Sequence, residues 1–327
     1  MHEFQQHILH KSVRYIITFF IVITLIFVLP RLMPGDPLIN LLGQESHYVS
    51  AEFIQELKKQ YGLDKPLHLQ YMYYLINLFH GNWGHSFHYA KPIFGIVCYR
   101  LQWTLLLMIP SIILGAIFGM ILGSFSGWKK GGRFDGSITP VLLFFYSMPG
   151  YWLAMLAILI FGFYLDIFPL YGMVSSDSSG LERVVDMLWH MILPVSVLTL
   201  FKTSYNYLIM RNSVIQVSEE GFILTARAKG LKERKVLFRH VLRNALLPLI
   251  TVIALDFGFM FSGVLLVEIV FSWNGMGTLI YDAVLARDYP LLQGCFLIIT
   301  ICVLIANFIA DVTYAIADPR IRHSQVG

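Results

Sequence analysis

Six long, mainly apolar runs with few or no charged residues alternate with polar segments along this chain. Each run approaches or exceeds the roughly 20 apolar residues that an α-helix needs to cross the hydrocarbon core of a bilayer. The pattern therefore predicts an all-α polytopic membrane protein with six transmembrane helices. The runs lie at about 15–30, 101–125, 136–165, 187–208, 245–267 and 291–311.

The first run, residues 15–30, is the shortest of the six. Lys11 and Arg14 precede it and Arg31 follows it, and long basic side chains at helix ends can extend to the membrane surface. A secretory signal peptide is the alternative interpretation, but no small-residue cleavage site follows the run. We predict an uncleaved first transmembrane helix. The third run contains Pro140 and Pro149, which predict a kink or an interruption.

The one long polar region, residues 33–100, is predicted to lie outside the cell membrane. It has a helical pattern at about 50–61, balanced charges, and too few residues for an enzyme domain. Four histidines raise the hypothesis of a metal site, but no pair has i, i+4 spacing with a nearby carboxylate. We therefore expect no metal there. These histidines are His68, His80, His85 and His88.

The composition fits a membrane protein, since 57% of the 327 residues are hydrophobic against roughly 45–50% in soluble domains. In a soluble protein, the formal net charge of +4 could indicate a nucleic-acid partner. Here Lys and Arg are concentrated in short loops, which indicates membrane topology instead. We expect the basic loop at 129–133, the basic stretch at 211–244 and both termini to be cytoplasmic. No nucleic-acid partner and no cofactor are expected.

The stretch 211–244 carries eight Lys and Arg side chains in a chain whose charged fraction is only 13%. Gly230 divides it into two short predicted helices, and Ala226 and Ala228 lie at the end of the first. A turn built from small residues lets another protein approach the backbone closely. We interpret the stretch as a cytoplasmic docking element; a solvated basic loop that only fixes topology is the alternative.

Charged residues fall within or beside the predicted spans, and three of them bear on structure and function. Asp256 lies in the fifth run and is a candidate residue of a transport pathway, because a carboxylate at that depth is costly and usually faces protein or water. A packing residue at a subunit interface is an equally good interpretation. Lys202 is expected to extend to the cytoplasmic surface, and Glu268 is expected to order the loop around Gly275.

Several segments together resemble ABC-importer permeases of the dipeptide, oligopeptide and nickel family. The runs T-A-R-A-K-G-L at 225–231 and F-R-H-V-L-R-N-A-L-L-P at 238–248 resemble the family's cytoplasmic loop. Their order and spacing agree along almost the whole chain. The other segments are G-D-P at 35–37, G-L-D-K-P at 62–66, G-N-W-G-H-S at 81–86, Glu268 with Phe271, Gly275 and Gly277, R-D-Y-P at 287–290, Asn307 with Asp311, and D-P-R at 318–320.

The chain departs from the general importer loop in two places. Leu224 and Thr225 occupy the first two places of the usual Glu-Ala-Ala, and Arg243 stands where a proline is usual, with Pro248 further on. This shift resembles the peptide and nickel branch of the family.

The resemblance implies a type I ABC-importer permease fold. It divides the chain into a tail and first helix at 1–32, an extracytoplasmic loop region at 33–100, a permease core at 101–314 that includes the coupling loop 211–244, and a cytoplasmic tail at 315–327. The contact with an ATPase is expected at Thr225, Ala226, Arg227, Ala228, Lys229, Gly230 and Leu231.

The same resemblance implies partners. The sequence has no G-x-x-x-x-G-K-[ST] phosphate loop, so we predict a non-catalytic permease subunit. Two cytoplasmic ABC ATPases, a second homologous permease and an extracytoplasmic solute-binding protein are expected, in the cytoplasmic (inner) membrane of a bacterium. The second permease would supply the other half of the pathway.

The expected substrates are dipeptides or oligopeptides, and nickel or a metal chelate is the alternative. A secondary transporter or channel is a further alternative, which would show paired intramembrane charges or broken-helix repeats. We expect neither in these spans. An integral-membrane enzyme would need a clustered catalytic set, and His190, Lys202 and Asp256 are too far apart in the sequence to suggest one.

Overall fold

The computed structural model describes residues 2–32, 64–175, 179–258 and 260–317. The predicted helical pattern at 50–61 and the tail from residue 318 lie outside these ranges. The described residues form α1 His2–Leu32, α2 Leu67–Phe79, α3 Ile93–Trp128, α4 Arg133–Ser147, α5 Gly150–Ala157, α6 Gly180–Ser218, α7 Gly221–Ala228, α8 Glu233–Val236, α9 Leu242–Gly258, α10 Met260–Val270, α11 Met276–Leu285 and α12 Tyr289–Ala317. Short π-helices follow α5 at Ile158–Tyr164 and α8 at Leu237–Val241.

Within the described part of the chain, five helical segments are long and apolar enough to cross a membrane. They are Lys11–Val28, Ile93–Trp128, Gly180–Ser218, Glu233–Phe257 and Tyr289–Ile309. The fold is thus all-helical and polytopic, as predicted. Each of them begins before the corresponding apolar run, because the helix extends into the polar residues that precede the run.

The remaining predicted span is a bent pair of helices. α4 meets α5 and its π-helical extension at 103°. Met148, between them, is extended at φ −84° and ψ 140°, because the following proline disfavours the helical conformation. The predicted interruption at Pro149 is confirmed. If the bent pair is counted as one span, the described residues contain six spans. The count of six and the cytoplasmic location of both termini stay predictions.

The centre of the fold is a close contact between α3 and α6. Four glycines at every fourth position of α3 form one face of this contact: Gly115, Gly119, Gly123 and Gly127. A Cβ atom added at Gly119 would lie 2.5 Å from the Cβ atom of Asn206 on α6. Only glycine lets the two backbones approach this closely, as small-residue repeats do between membrane helices.

α1 packs against the last helix, α12. The Tyr15 hydroxyl donates to Asp311 Oδ2 at 2.6 Å, and Lys11 Nζ lies 3.0 Å from the same oxygen. Further along, Gln293 Nε2 donates to the Ile26 carbonyl at 3.0 Å. α1 is therefore packed into the bundle, and the prediction that it is not cleaved stays a prediction.

Two buried carboxylates, Glu268 and Asp288, organise the end of the bundle where α10, α11 and the start of α12 meet. Glu268 is fully buried, and its oxygens accept hydrogen bonds from the Thr104 hydroxyl and the Gly277 amide, both at 2.6 Å. A Cβ atom at Gly275 would overlap the Glu268 carboxylate at 2.1 Å. Glu268 thus joins α10, α3 and the start of α11, which confirms its predicted role beside Gly275.

Asp288 does the same for the polar loop before α3. Its Oδ2 accepts from the Ser86 hydroxyl at 2.6 Å and the His88 amide at 3.0 Å, and its Oδ1 accepts from the Leu291 amide. The segments 81–86 and 287–290, far apart in sequence, are therefore one structural unit. His85 and His88 are exposed at this surface.

Candidate functional site

The basic stretch folds as a helix, a turn and a helix. α7 ends in a Schellman motif, in which the Leu231 amide donates to the Ala226 carbonyl and the Gly230 amide donates to the Arg227 carbonyl. Gly230 has φ +76°, a left-handed conformation that glycine adopts without a Cβ penalty. The sequence-predicted break at Gly230 is therefore a defined turn of fixed geometry.

One face of α7 is anchored in the protein. Ile223 is fully buried and Ala226 is 5% exposed, one helical turn apart. Both belong to an apolar cluster contributed by α6, α8, the second π-helix and α9. Its other members are Met210, Val214, Val236, Leu237, Val241, Ala245 and Leu249. Burial of these side chains fixes α7 against the helices on both sides of it in the chain.

The opposite face of α7 is exposed. The outward-facing residues are Phe222, Leu224, Thr225, Arg227, Ala228, Lys229 and Gly230, and Leu231 is half-buried. We call this surface the docking face. Five of the seven residues predicted for contact lie on it, whereas Ala226 points inward. Sequence reasoning missed Phe222 and Leu224, 46% and 59% exposed. A helical wheel with Ile223 and Ala226 inside would have placed Leu224 and Ala228 together outside.

Arg227 is engaged within the chain. Its Nε and Nη2 atoms donate to the two carboxylate oxygens of Glu233 on α8, at 3.1 and 3.3 Å. The guanidinium also lies 5.2 Å from the ring centroid of Trp128, at the end of α3. These contacts stiffen the turn between α7 and α8 and connect it to α3. Lys229 is exposed beside them.

A buried ion pair supports this end of the bundle. Arg211 on α6 forms a two-point contact with Asp135 on α4, with Nε to Oδ1 at 2.6 Å and Nη2 to Oδ2 at 2.8 Å. Asp135 also accepts from the Ser126 hydroxyl and the Gly131 amide. The carboxylate therefore joins α3, α4 and α6, and both of its oxygens accept hydrogen bonds.

A second ion pair lies deep in the spans. Lys202 Nζ on α6 donates to Asp256 Oδ1 on α9, and only 17% and 12% of the two side chains are exposed. The expectation that Lys202 extends to the cytoplasmic surface is wrong, because a carboxylate on the neighbouring helix holds its ammonium group. The expectation that the spans lack paired charges is wrong for the same reason. The pathway role of Asp256 stays a prediction.

Several buried polar atoms on the same two helices have no hydrogen-bond partner among the described residues. They are Asp256 Oδ2, Thr199 Oγ1 and both side-chain amide atoms of Asn206. Thr199, Lys202 and Asn206 follow one another on a single face of α6. A Cβ atom added at Gly115 or Gly119 would lie 2.5 Å from the Cβ atom of Lys202 or Asn206, so this face of α6 borders α3, and the Lys202 ammonium group reaches α9. We call Thr199, Lys202, Asn206 and Asp256 the polar seam.

An all-helical bundle with several apolar spans defines a multi-pass membrane protein. Two family models match the chain: binding-protein-dependent transport system inner membrane component over residues 115–323, and its membrane component N-terminal region over residues 4–109. The chain therefore belongs to the binding-protein-dependent transport system inner membrane components. It is an ABC-importer permease of the dipeptide family, located in the bacterial inner membrane.

Characterised relatives cover nearly the whole chain. The di/tripeptide transport system permease protein DppB of Pseudomonas aeruginosa is 35% identical over 94% of this chain and 96% of its own length. The dipeptide transport system permease protein DppB of Escherichia coli is 34% identical over 98% of this chain and 99% of its own length. The family predicted from the cytoplasmic loop is confirmed.

A solved structure supports the fold. A chain of the MetNI methionine ABC transporter, in inward-facing conformations, superposes with a TM-score of 0.55 at 15% identity. The match covers 68% of this chain and 96% of the transporter chain. At this level of identity the likeness concerns the fold alone, and it confirms the predicted ABC-importer permease fold.

Proposed function

We propose that this chain is the non-catalytic permease subunit of an ATP-driven importer and carries dipeptides or short oligopeptides across the inner membrane. Two cytoplasmic ATPases supply the energy, and an extracytoplasmic binding protein delivers the substrate. A second, homologous permease forms the other half of the pathway. The observation that carries the proposal is the docking face, an exposed surface fixed from beneath by packing.

The docking face is suited to transmit force. It exposes small side chains at Ala228 and Gly230, which allow close backbone contact, and apolar ones at Phe222 and Leu224, which can enter a groove. Its inner side is buried against both α6 and α9, so a displacement of α7 moves both helices. Because α7 is connected to α6 at one end and, through α8, to α9 at the other, it can transmit a displacement to both helices.

The substrate assignment follows the relatives. The two DppB proteins are named for dipeptide and di/tripeptide transport, and peptides are therefore favoured over nickel or a metal chelate. Asp256 is proposed as a residue of the pathway, together with the ion pair that holds it.

The docking proposal is tested by Ala228→Glu. This change adds bulk and negative charge to the exposed face without altering the buried face, so the protein should insert and fold normally. Recovery of the ATPases with the detergent-solubilised, affinity-tagged chain should fall by about tenfold or more, as for a disrupted interface centre. Recovery is measured by quantitative mass spectrometry of the purified complex.

Arg183→Glu serves as the control, because it places a new glutamate at the exposed far end of α6, away from α7, and changes the charge by two units against one in Ala228→Glu. Its ATPase recovery should equal that of the wild type. Equal recovery with Ala228→Glu and with the control would contradict docking at this face. Failure to recover any ATPase with the wild-type chain would contradict the importer proposal itself.

A further inference from the structure

The polar seam between α6 and α9 is built at high cost. Burying an ion pair in a bilayer requires desolvation of both charges, and each buried polar atom without a partner adds a further penalty. Lys202 and Asp256 are paired, but four buried polar atoms of the seam, on Asp256, Thr199 and Asn206, have no partner among the described residues. Unmet hydrogen-bonding capacity on one face of α6 and on the α9 residue that this face contacts calls for a functional explanation.

Packing does not explain the seam. The other buried carboxylates of the described bundle, Asp135, Glu268 and Asp288, accept hydrogen bonds at both oxygens. Asp256 uses only Oδ1, and its Oδ2 atom has no partner. The charges of the seam are therefore matched, while its hydrogen bonds are incomplete, which leaves acceptor and donor capacity for another molecule.

The position of the seam links it to the docking face. α6 leads into α7, and α9 follows the π-helix after α8, so the seam joins the two helices that hold the docking face. Ser213 Oγ donates to the Ala245 carbonyl at 2.9 Å and fastens the same helices nearer that face. A movement of α7 should therefore displace both α6 and α9, the two helices that carry the seam residues.

We propose that the polar seam recognises the two charged ends of a zwitterionic peptide when α6 and α9 separate. Asp256 receives the substrate's α-ammonium group and Lys202 receives its α-carboxylate, while the Asn206 amide and the Thr199 hydroxyl bond to the peptide backbone. This inference rests on the proposed function, since it assumes that peptides pass through this subunit.

Charge balance makes a zwitterion the fitting ligand. Opening the pair alone would leave an unpaired ammonium and an unpaired carboxylate in a low-dielectric interior, which is strongly unfavourable. A peptide with both termini free replaces each lost partner at once, so no charge is left unmatched. A peptide with one blocked terminus leaves one protein charge unpaired and should be carried less well.

The test compares ATP-driven uptake of one dipeptide with free termini, its N-acetylated form and its C-amidated form into proteoliposomes. The same binding protein is used throughout, so its own preferences cancel when selectivity ratios are compared between variants. The wild type should favour the free peptide by about tenfold over either blocked form. Asp256→Asn should reduce the N-acetyl discrimination to about twofold and leave the C-amide discrimination in place.

Lys202→Met should have the reverse effect, relaxing discrimination against the amide only. The double variant Lys202→Met/Asp256→Asn leaves no unpaired charge, so it should fold even if a single variant does not. It should lose discrimination against both the N-acetylated and the C-amidated peptide. Lys129→Met, which removes an exposed cation at the end of α3, is the control and should keep both ratios.

Equal loss of uptake for free and blocked peptides in every seam variant would overturn the inference, because a purely structural role lowers all three rates together. Unchanged ratios in the double variant would also overturn it. Both outcomes leave the proposed function intact as long as the wild type takes up peptide with ATP. Absence of ATP-driven uptake of any peptide by the wild-type complex would overturn both.

Discussion

Gly230 determines the geometry of the docking face at the scale of single residues. Its φ of +76° is required by the Schellman motif, and a Cβ atom there meets no neighbour within 4 Å. Any effect of substitution therefore reports backbone conformation and not a clash. This makes Gly230 a clean site at which to test the turn.

Gly230→Ala should destabilise the turn by about 1 kcal/mol, the cost of a left-handed alanine, and Gly230→Asn should cost less. The amide of Leu231, which closes the motif, should exchange its hydrogen about fivefold faster in the alanine variant. Hydrogen exchange followed by mass spectrometry on the α7 peptides measures this. Equal exchange in all three proteins would show that the conformation of Gly230 does not hold the turn.

At the scale of residues, the sequence predicted the features that depend on the residue type itself. It failed for features that depend on a partner far away in the chain. Gly230 as a break and Glu268 as an organiser of the Gly275 loop were predictable, because glycine and a buried carboxylate have few structural roles. The partner of Lys202 was not predictable, because Asp256 is 54 residues away and only the fold brings them together. The inward orientation of Ala226 required the helical face to be known.

At the scale of elements, the contact between α3 and α6 depends on the glycine stripe. Gly119→Ala should destabilise the protein by about 1–3 kcal/mol, since the added Cβ would lie 2.5 Å from Asn206 Cβ and force the helices apart. Gly136→Ala on α4 is the matched control, because nothing lies within 4 Å of its Cβ position. It should be neutral or gain about 0.5–1 kcal/mol from reduced backbone entropy. Thermal unfolding in detergent distinguishes these opposite signs; the same sign for both would contradict the packing account.

The ion pair between α4 and α6 makes a second prediction at this scale. Arg211→Met leaves Asp135 charged and buried, and should cost about 3–5 kcal/mol. The double variant Arg211→Met/Asp135→Asn should recover much of that loss, because no unpaired charge remains. A double-mutant cycle on unfolding midpoints measures the coupling. Additive losses would mean that the two residues act independently.

The elements themselves were largely predictable. Lipid excludes exposed backbone polar groups, so long apolar runs must be helical, and the interruption at Pro149 follows from proline geometry. Helix bounds were less predictable, since α6 spans 39 residues against 22 in the apolar run. The polar continuations are stabilised by contacts, such as the Arg211–Asp135 pair, that no local pattern reveals.

At the scale of the whole molecule, the bundle connects its two ends. The Glu268 and Asp288 networks hold the segments around α11 and the start of α12 at one end. The apolar cluster beneath α7 holds the docking face at the other. The polar seam lies between them on the same helices, α6 and α9. A permease with this layout can couple events at the cytoplasmic surface to the middle of the membrane.

The most direct test of the central claim is uptake of a radiolabelled dipeptide into proteoliposomes that contain the complex purified through a tag on this chain. With the binding protein supplied on the outer side, uptake should require ATP inside the vesicles and should be lost in Ala228→Glu while Arg183→Glu retains it. Uptake that proceeds without ATP on a proton or sodium gradient, at an equal rate in both variants, would contradict the account.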